Sequence, residues 1–323
     1  MKPAYRRSAA LALFASALLA VASPALAEPF ALLASVRGRV DVIVARTGEK
    51  ARASFGRALE RGDRIEVAAG GGATVYFSDG NVIELGEKSS VTVGGRVANP
   101  ARVGPGAGLA GPVYQQVARV VTGGSRETGL VAISQMRGAD AQRALILAPR
   151  ASHVLTGRPA FAWRAAAGAD RYRVTVSDEH GEVWSREVAE GPLAWPADAP
   201  AARSGADYLW TLEALSDRGA LRREESAFHV VEADDERVVR ENLARIEASA
   251  GGPDHPATHF LAGSYLAGRG LHHDAARHFE RLGALVPESP AAHEALGNVY
   301  RTIGLMDLAA ESFQKALALT RQD

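Results

Sequence analysis

The C-terminal part of the chain repeats itself with a fixed period. Displacing it by 34 residues places Pro256 on Pro290, His259 on His293, Gly263 on Gly297 and Gly270 on Gly304. The same shift places Leu271 on Leu305, Ala275 on Ala309, Phe279 on Phe313 and Leu285 on Leu319. A period of this length marks a supersecondary unit that cannot bury its apolar face alone and must stack on a neighbour. The residue types fit pairs of helices. Gly263/Gly297 and Ala275/Ala309 are small where two helices approach, and Phe279/Phe313 are expected to fill the gap between hairpins. Gly270/Gly304 suit a left-handed turn after the first helix. Pro287 and Pro290 punctuate the junction between units. Residues 235–249 supply a further helix, with Val238, Leu243 and Ile246 facing the stack. The edge carrying Phe313 and Leu317 is expected to dock onto the β region or onto a second copy.

This spacing, with Tyr300 at an aromatic position, resembles the tetratricopeptide (TPR) repeat, in two units of about 256–289 and 290–323. Leu266 departs from the aromatic pattern, and His259 and His293 stand where the family carries tryptophan. The resemblance implies an inner face built from the first helix of each unit. It also implies a protein or peptide partner, met by Phe260, Ser264, Glu294, Asn298 and Arg301. Asn298 would hydrogen-bond an extended backbone and Arg301 would pair with a carboxylate.

The chain begins with an address. Lys2, Arg6 and Arg7 precede an apolar stretch from Ala9 to Val21, then Ser23-Pro24 and Ala25-Leu26-Ala27. That is the pattern of a secretory signal peptide, residues 1–27, cleaved after Ala27. No cysteine follows to carry a lipid, and no later stretch approaches ~18 apolar residues, so no stable membrane span is expected after cleavage. The expected location is periplasmic or secreted, in a bacterial envelope.

Residues 28–93 are read as an antiparallel β domain. Val36, Gly38, Val40, Val42 and Val44 share one face at period two. Ala73, Val75 and Phe77 alternate before Asp79-Gly80, a hairpin signal, and Ile83 and Leu85 resume the inward face. Gly38-x-Val40, Leu59-x-x-Gly62-Asp63-x-Ile65 and Ala73-x-Val75-x-Phe77-x-Asp79-Gly80-x-x-Ile83-x-Leu85 resemble the FecR-like domain of envelope proteins. Founding members of that family relay a transport signal to a sigma factor through a membrane span and a cytoplasmic segment. A chain with a cleaved signal has neither, so only the β module carries over.

Residues 94–147 read as a linker with a short helix at 113–121. Residues 148–232 form a second β text, with strands at 8–12-residue spacing and aromatics in each. Pro159-x-Phe161-x-Trp163, Gly168-Ala169-x-x-Tyr172-x-Val174 and Gly205-x-x-Tyr208-x-Trp210 resemble fibronectin-type or Ig-like sandwich modules. The fold class is therefore multi-domain, β then α, with helical hairpins over 233–323.

Composition removes several functions. Lys+Arg and Asp+Glu are both 37, which argues against a nucleic-acid partner. Without the first 27 residues the balance is 34 basic against 37 acidic, or −3. There is no cysteine, hence no disulfide, thiol nucleophile or Cys-type zinc site. Gly106-Ala107-Gly108-Leu109-Ala110-Gly111 matches G-x-G-x-x-G but sits between prolines and reads as linker. His255, His259, His272, His273, His278 and His293 lack the spacing of a ligand set and read as solvated histidines. Glu224-Glu225 and Asp178-Glu179 read as solvated carboxylates. Trp195, flanked by Leu193 and Pro196, is the one tryptophan assigned a binding role. No catalytic residue, metal or cofactor is assigned. The expected function is a non-enzymatic interaction scaffold, with a cell-wall polysaccharide adaptor or an envelope signal relay as alternatives.

Overall fold

The computed structural model describes residues 30–78, 81–94, 97–98, 102–105 and 143–321. The expected signal segment, the glycine-rich string at 106–111 and the expected helix at 113–121 lie outside the described residues. Within them, β-structure comes first and helices come last.

The N-terminal strands are β1 (Ala31–Arg37), β2 (Val40–Ile43), β3 (Lys50–Arg52), β4 (Ala58–Leu59), β5 (Arg64–Val67) and β6 (Gly72–Phe77). They continue with β7 (Asn81–Leu85), β8 (Ser90–Thr92), β9 (Val97–Ala98) and β10 (Arg102–Pro105). They form two five-stranded sheets, in the orders β10-β7-β6-β1-β4 and β3-β2-β5-β8-β9. Leu33, Val40, Val42, Ile65, Val75 and Val91 lie buried in one apolar core.

The period-two run from Val36 to Val44 is two strands rather than one. Gly38, at φ +66°, breaks it, and a Cβ there would lie 3.1 Å from Gly71 Cα. Only glycine fits this crossing, where the chain leaves one sheet for the other. The expected linker also begins later than residue 93, because β9 and β10 pair with β8 and β7. β10 ends on Pro105 at a sheet edge, where proline is tolerated. Asp63 is buried, and its two carboxylate oxygens accept the N–H groups of Ala45 (2.9 Å) and Glu60 (3.0 Å). The Gly62-Asp63 pair thus ties two turns together.

The middle region contains β11 (Ile146–Ala148), β12 (Ser152–Val154), β13 (Ala162–Trp163), β14 (Arg171–Asp178), β15 (Gly181–Val188), β16 (Asp207–Ser216) and β17 (Gly219–Val230). Its main sheet runs β12-β17-β16-β14-β15, and β11-β13 forms a separate ladder. Phe161 sits centrally in an aromatic core with Trp184, Trp195, Trp210 and Phe228. One edge of this sheet is parallel, where β12 lies alongside β17. β12 is not hairpin-connected to that partner, so nothing forces it to run the opposite way.

Five helices follow among the described residues: α1 (Ala233–Ser249), α2 (Pro256–Gly268), α3 (His272–Leu285), α4 (Pro290–Thr302) and α5 (Met306–Thr320). Three-residue connections join α2 to α3 and α4 to α5, and each pair packs together as a hairpin. Gly270 and Gly304 close the two turns at φ +77° and +76°. A Cβ on Gly263 would lie 2.8 Å from the Phe279 ring, and one on Gly297 would lie 2.8 Å from the Phe313 ring. Each phenylalanine therefore fills the hollow left by a glycine of its own hairpin, and Phe279 also shares a core with Ala292 and Val299 of the next one. In α1 the deeply buried residues are Val239 and Ile246, with Val238 half-buried.

Gly263→Ala and Gly297→Ala are each expected to destabilise the chain. Overpacking costs about 1–3 kcal/mol, which outweighs the ~1 kcal/mol gained in helix propensity. Urea unfolding of the two variants measures the difference.

Candidate interaction surface

The structure separates the five residues expected on the inner helical face into two groups. Phe260 and Ser264 are buried, at 3% and 0% exposure, so their expected exposure is corrected. The cause is the N-terminal module. Leu32, Ala34, Phe55 and Tyr76 share one apolar cluster with α2. Phe55 meets Phe260 edge to face at 4.7 Å between ring centroids. Gly56 lies so close that an added Cβ would sit 3.1 Å from the Phe260 ring. Glu294, Asn298 and Arg301 instead lie half-buried on α4, at the i, i+4, i+7 spacing of one stripe. Arg301 Nη2 lies 3.4 Å from Asn298 Oδ1, and burial pushes the Glu294 carboxyl above its usual range.

At the N-terminal end of α4, where Pro290 stands, a cleft of about 610 Å³ opens between the N-terminal module and the helices. Val36 and Phe55 line one side, Val286 and Pro290 another, and Leu319 the end. Leu319 of α5 lines this cleft, while Phe313 is buried with Ala309, Tyr300 and Leu317 of its own hairpin.

The middle module grips the opposite ends of the same helices. Helix α3 starts after Leu271, which offers no capping side chain. Ser152 of β12 takes that role from outside: its Oγ accepts the His272 N–H at 3.1 Å and lies 3.4 Å from His273 N. The His153 N–H donates to Gly270 O at 2.9 Å. Three residues earlier, Arg150 Nε donates to Ile303 O at 2.8 Å, where α4 ends. Glu224 fixes that guanidinium at 2.6 Å, so it is an engaged carboxylate rather than a solvated one. Arg164 pairs with Asp307 in the first turn of α5 at 2.8 Å. An extended run from Arg150 to His153 reaches at most ~10 Å, comparable to the ~8–10 Å between packed helices. One short segment therefore serves both hairpin turns.

Sequence reasoning missed Arg150 and Ser152. The available signal was negative: a leucine stands at the N-cap of α3 where Ser, Thr, Asp or Asn is preferred.

The histidines are not uniformly solvated, contrary to expectation. His255 caps α2, its Nδ1 accepting the Ala257 N–H at 3.2 Å. His259 and His278 face each other with Nδ1 atoms 3.1 Å apart. Burial, then the neighbouring His259 and Arg277, push His278 down to about 4. Burial and Arg281 push His259 down as well. Trp195 is also corrected. It is 5% exposed, and its Nε1–H donates to Pro200 O at 3.1 Å. The four tryptophans are all buried, so none offers a stacking surface. Among the described residues, no group of three or more His, Asp or Glu side chains is placed to hold a metal ion.

No protein-family model matches the chain, and no curated protein matches it. Among solved structures it is similar to one named "Cell surface anchoring domain", at 22% identity over 20% of this chain and 84% of that one. The TM-score is 0.19, too low to carry an argument about fold or role. No helix among the described residues is long and apolar enough to cross a membrane.

Two outcomes follow from this geometry. Ser152→Ala is expected to cost about 1 kcal/mol, the usual value of a helix cap, read by chemical denaturation. The His259–His278 pair is neutral in the folded hairpin, whereas unfolded histidine titrates near ~6.5. The stability it contributes is complete above that pH and is lost as pH falls toward about 4. The melting temperature is expected to drop by several degrees over this window, and less in His278→Gln. Calorimetry across pH checks it.

Proposed function

We propose that this chain is an exported, non-enzymatic protein–protein interaction scaffold of the bacterial cell envelope. In this reading the N-terminal module is FecR-like, the middle module is of Ig or fibronectin type, and the helical pairs are TPR-type repeats. The observation that carries it is the glycine–phenylalanine contact recurring 34 residues apart in two helical hairpins, both mounted on β modules. The partner is a protein or peptide, and its site is the stripe of Glu294, Asn298 and Arg301 on α4, the helix whose first residue lines the 610 Å³ cleft. The equivalent face of α2 is occupied by the chain's own Phe55. Asn298 presents an amide suited to a peptide backbone, and Arg301 supplies a cation for a carboxylate.

Crosslinking in the native envelope, followed by mass spectrometry, identifies the partner. Asn298→Ala combined with Arg301→Ala is expected to weaken its capture at least tenfold while leaving the melting temperature unchanged. Retained capture excludes the α4 stripe. N-terminal sequencing of the protein from cells is expected to begin at Glu28, and a Met1 start refutes export by a cleaved signal.

A further inference from the structure

Imidazoles collect where the middle module holds the α2–α3 turn. His153 of β12 has Nδ1 3.1 Å from Arg269 O, so that nitrogen carries the donated proton. Its ring lies over Gly270, where a Cβ would come within 3.0 Å. The His229 ring of β17 is 5.0 Å from the His153 ring, and His229 Nδ1 is 2.8 Å from Asp207 Oδ1 of β16. His272 is the first residue of α3, and its buried Nδ1 has no hydrogen-bonding partner among the described residues.

The charges around this group are already committed or share its sign. Arg269, in the turn, faces Asp235 of α1 at 3.8 Å. Asp207 is engaged by His229. On α3, His273 stands beside Asp274 and Arg277, with Glu280 further along the helix and Arg240 of α1 near Asp274. A proton on His272 would place positive charge at the N-terminal end of a helix, where the backbone dipole opposes it. It would also face His153. The neutral His272 imidazole fits this seam and the charged one does not.

We propose that the seam between β12 and the α2–α3 turn is a proton-sensitive latch. At neutral pH, uncharged His272 lets Ser152 cap α3 and hold the turn. In mild acid, its protonation releases the turn from β12 while both modules stay folded. Burial and the nearby His153 hold His272 below the usual histidine range, consistent with this direction. A group that binds protons more weakly when docked favours docking above ~6.5 and opposes it below.

Hydrogen exchange on the full chain at pH 7.5 and 5.5, corrected for intrinsic rates, tests the latch. The amides of His153, His272 and His273 cross the seam, while β14 and β16 report on the middle module and the interior of α2 on the hairpin. Protection of the seam amides is expected to fall at least tenfold at pH 5.5, with the reference segments unchanged. His272→Gln is expected to keep its seam protection at pH 5.5. Unchanged seam protection in the wild-type protein overturns the proposal, and so does loss shared equally by the reference segments. An equal pH-dependent loss in His272→Gln also overturns it. If that variant is open at pH 7.5, His272→Asn is read by the same criterion.

Discussion

Strand β1 is buried on both faces, and the arrangement of modules depends on that fact. Ala31 and Leu33 enter the core between the two N-terminal sheets, while Leu32 and Ala34 enter the core shared with the helices. Full burial of a leucine contributes about 1.5–3 kcal/mol, so both faces of one strand add to stability together. The helices cannot leave without exposing Leu32, Phe55 and Tyr76 along with their own Phe260 and Tyr265. The β module is thus a participant in the helical core and not a detached pedestal.

The middle module contributes differently. Its hold on the two hairpin turns is largely polar: a hydroxyl at the start of α3, a guanidinium at the end of α4, and an ion pair in the first turn of α5. Such groups satisfy helix-end donors and acceptors that would otherwise need water or local caps. Apolar contact at β1 fixes where the helices sit, and polar contact at β12 fixes how their turns are presented. The α4 stripe lies half-buried, and the cleft opens at the N-terminal end of the same helix.

Much of the helical region was legible because its constraints are local. A glycine beneath a phenylalanine ring, and a glycine at positive φ, demand particular residues at particular offsets, so the 34-residue recurrence shows directly in the text. The alternating strands β14 and β16 were legible for a similar reason, since one face is buried and the other is wet. β1 was not, because burial on both faces erases alternation. The break at Gly38 was hidden because valines before and after it keep the same parity. Helical spacing alone places Glu294, Asn298 and Arg301 on one stripe, whereas the covering of Phe260 and Ser264 depends on Phe55, some 200 residues away in the chain.

The sequence by itself determined the order of β before α, the helix pairs, and the residues that let their backbones approach, because these follow from periodicity and from side-chain size at short range. Tertiary structure alone decided which helical face is covered and that Ser152 and Arg150 complete helix ends they do not belong to. It also decided that the histidines meet at a seam. Those outcomes depend on surfaces brought together across more than 100 residues of chain, and no local pattern records which surfaces will meet.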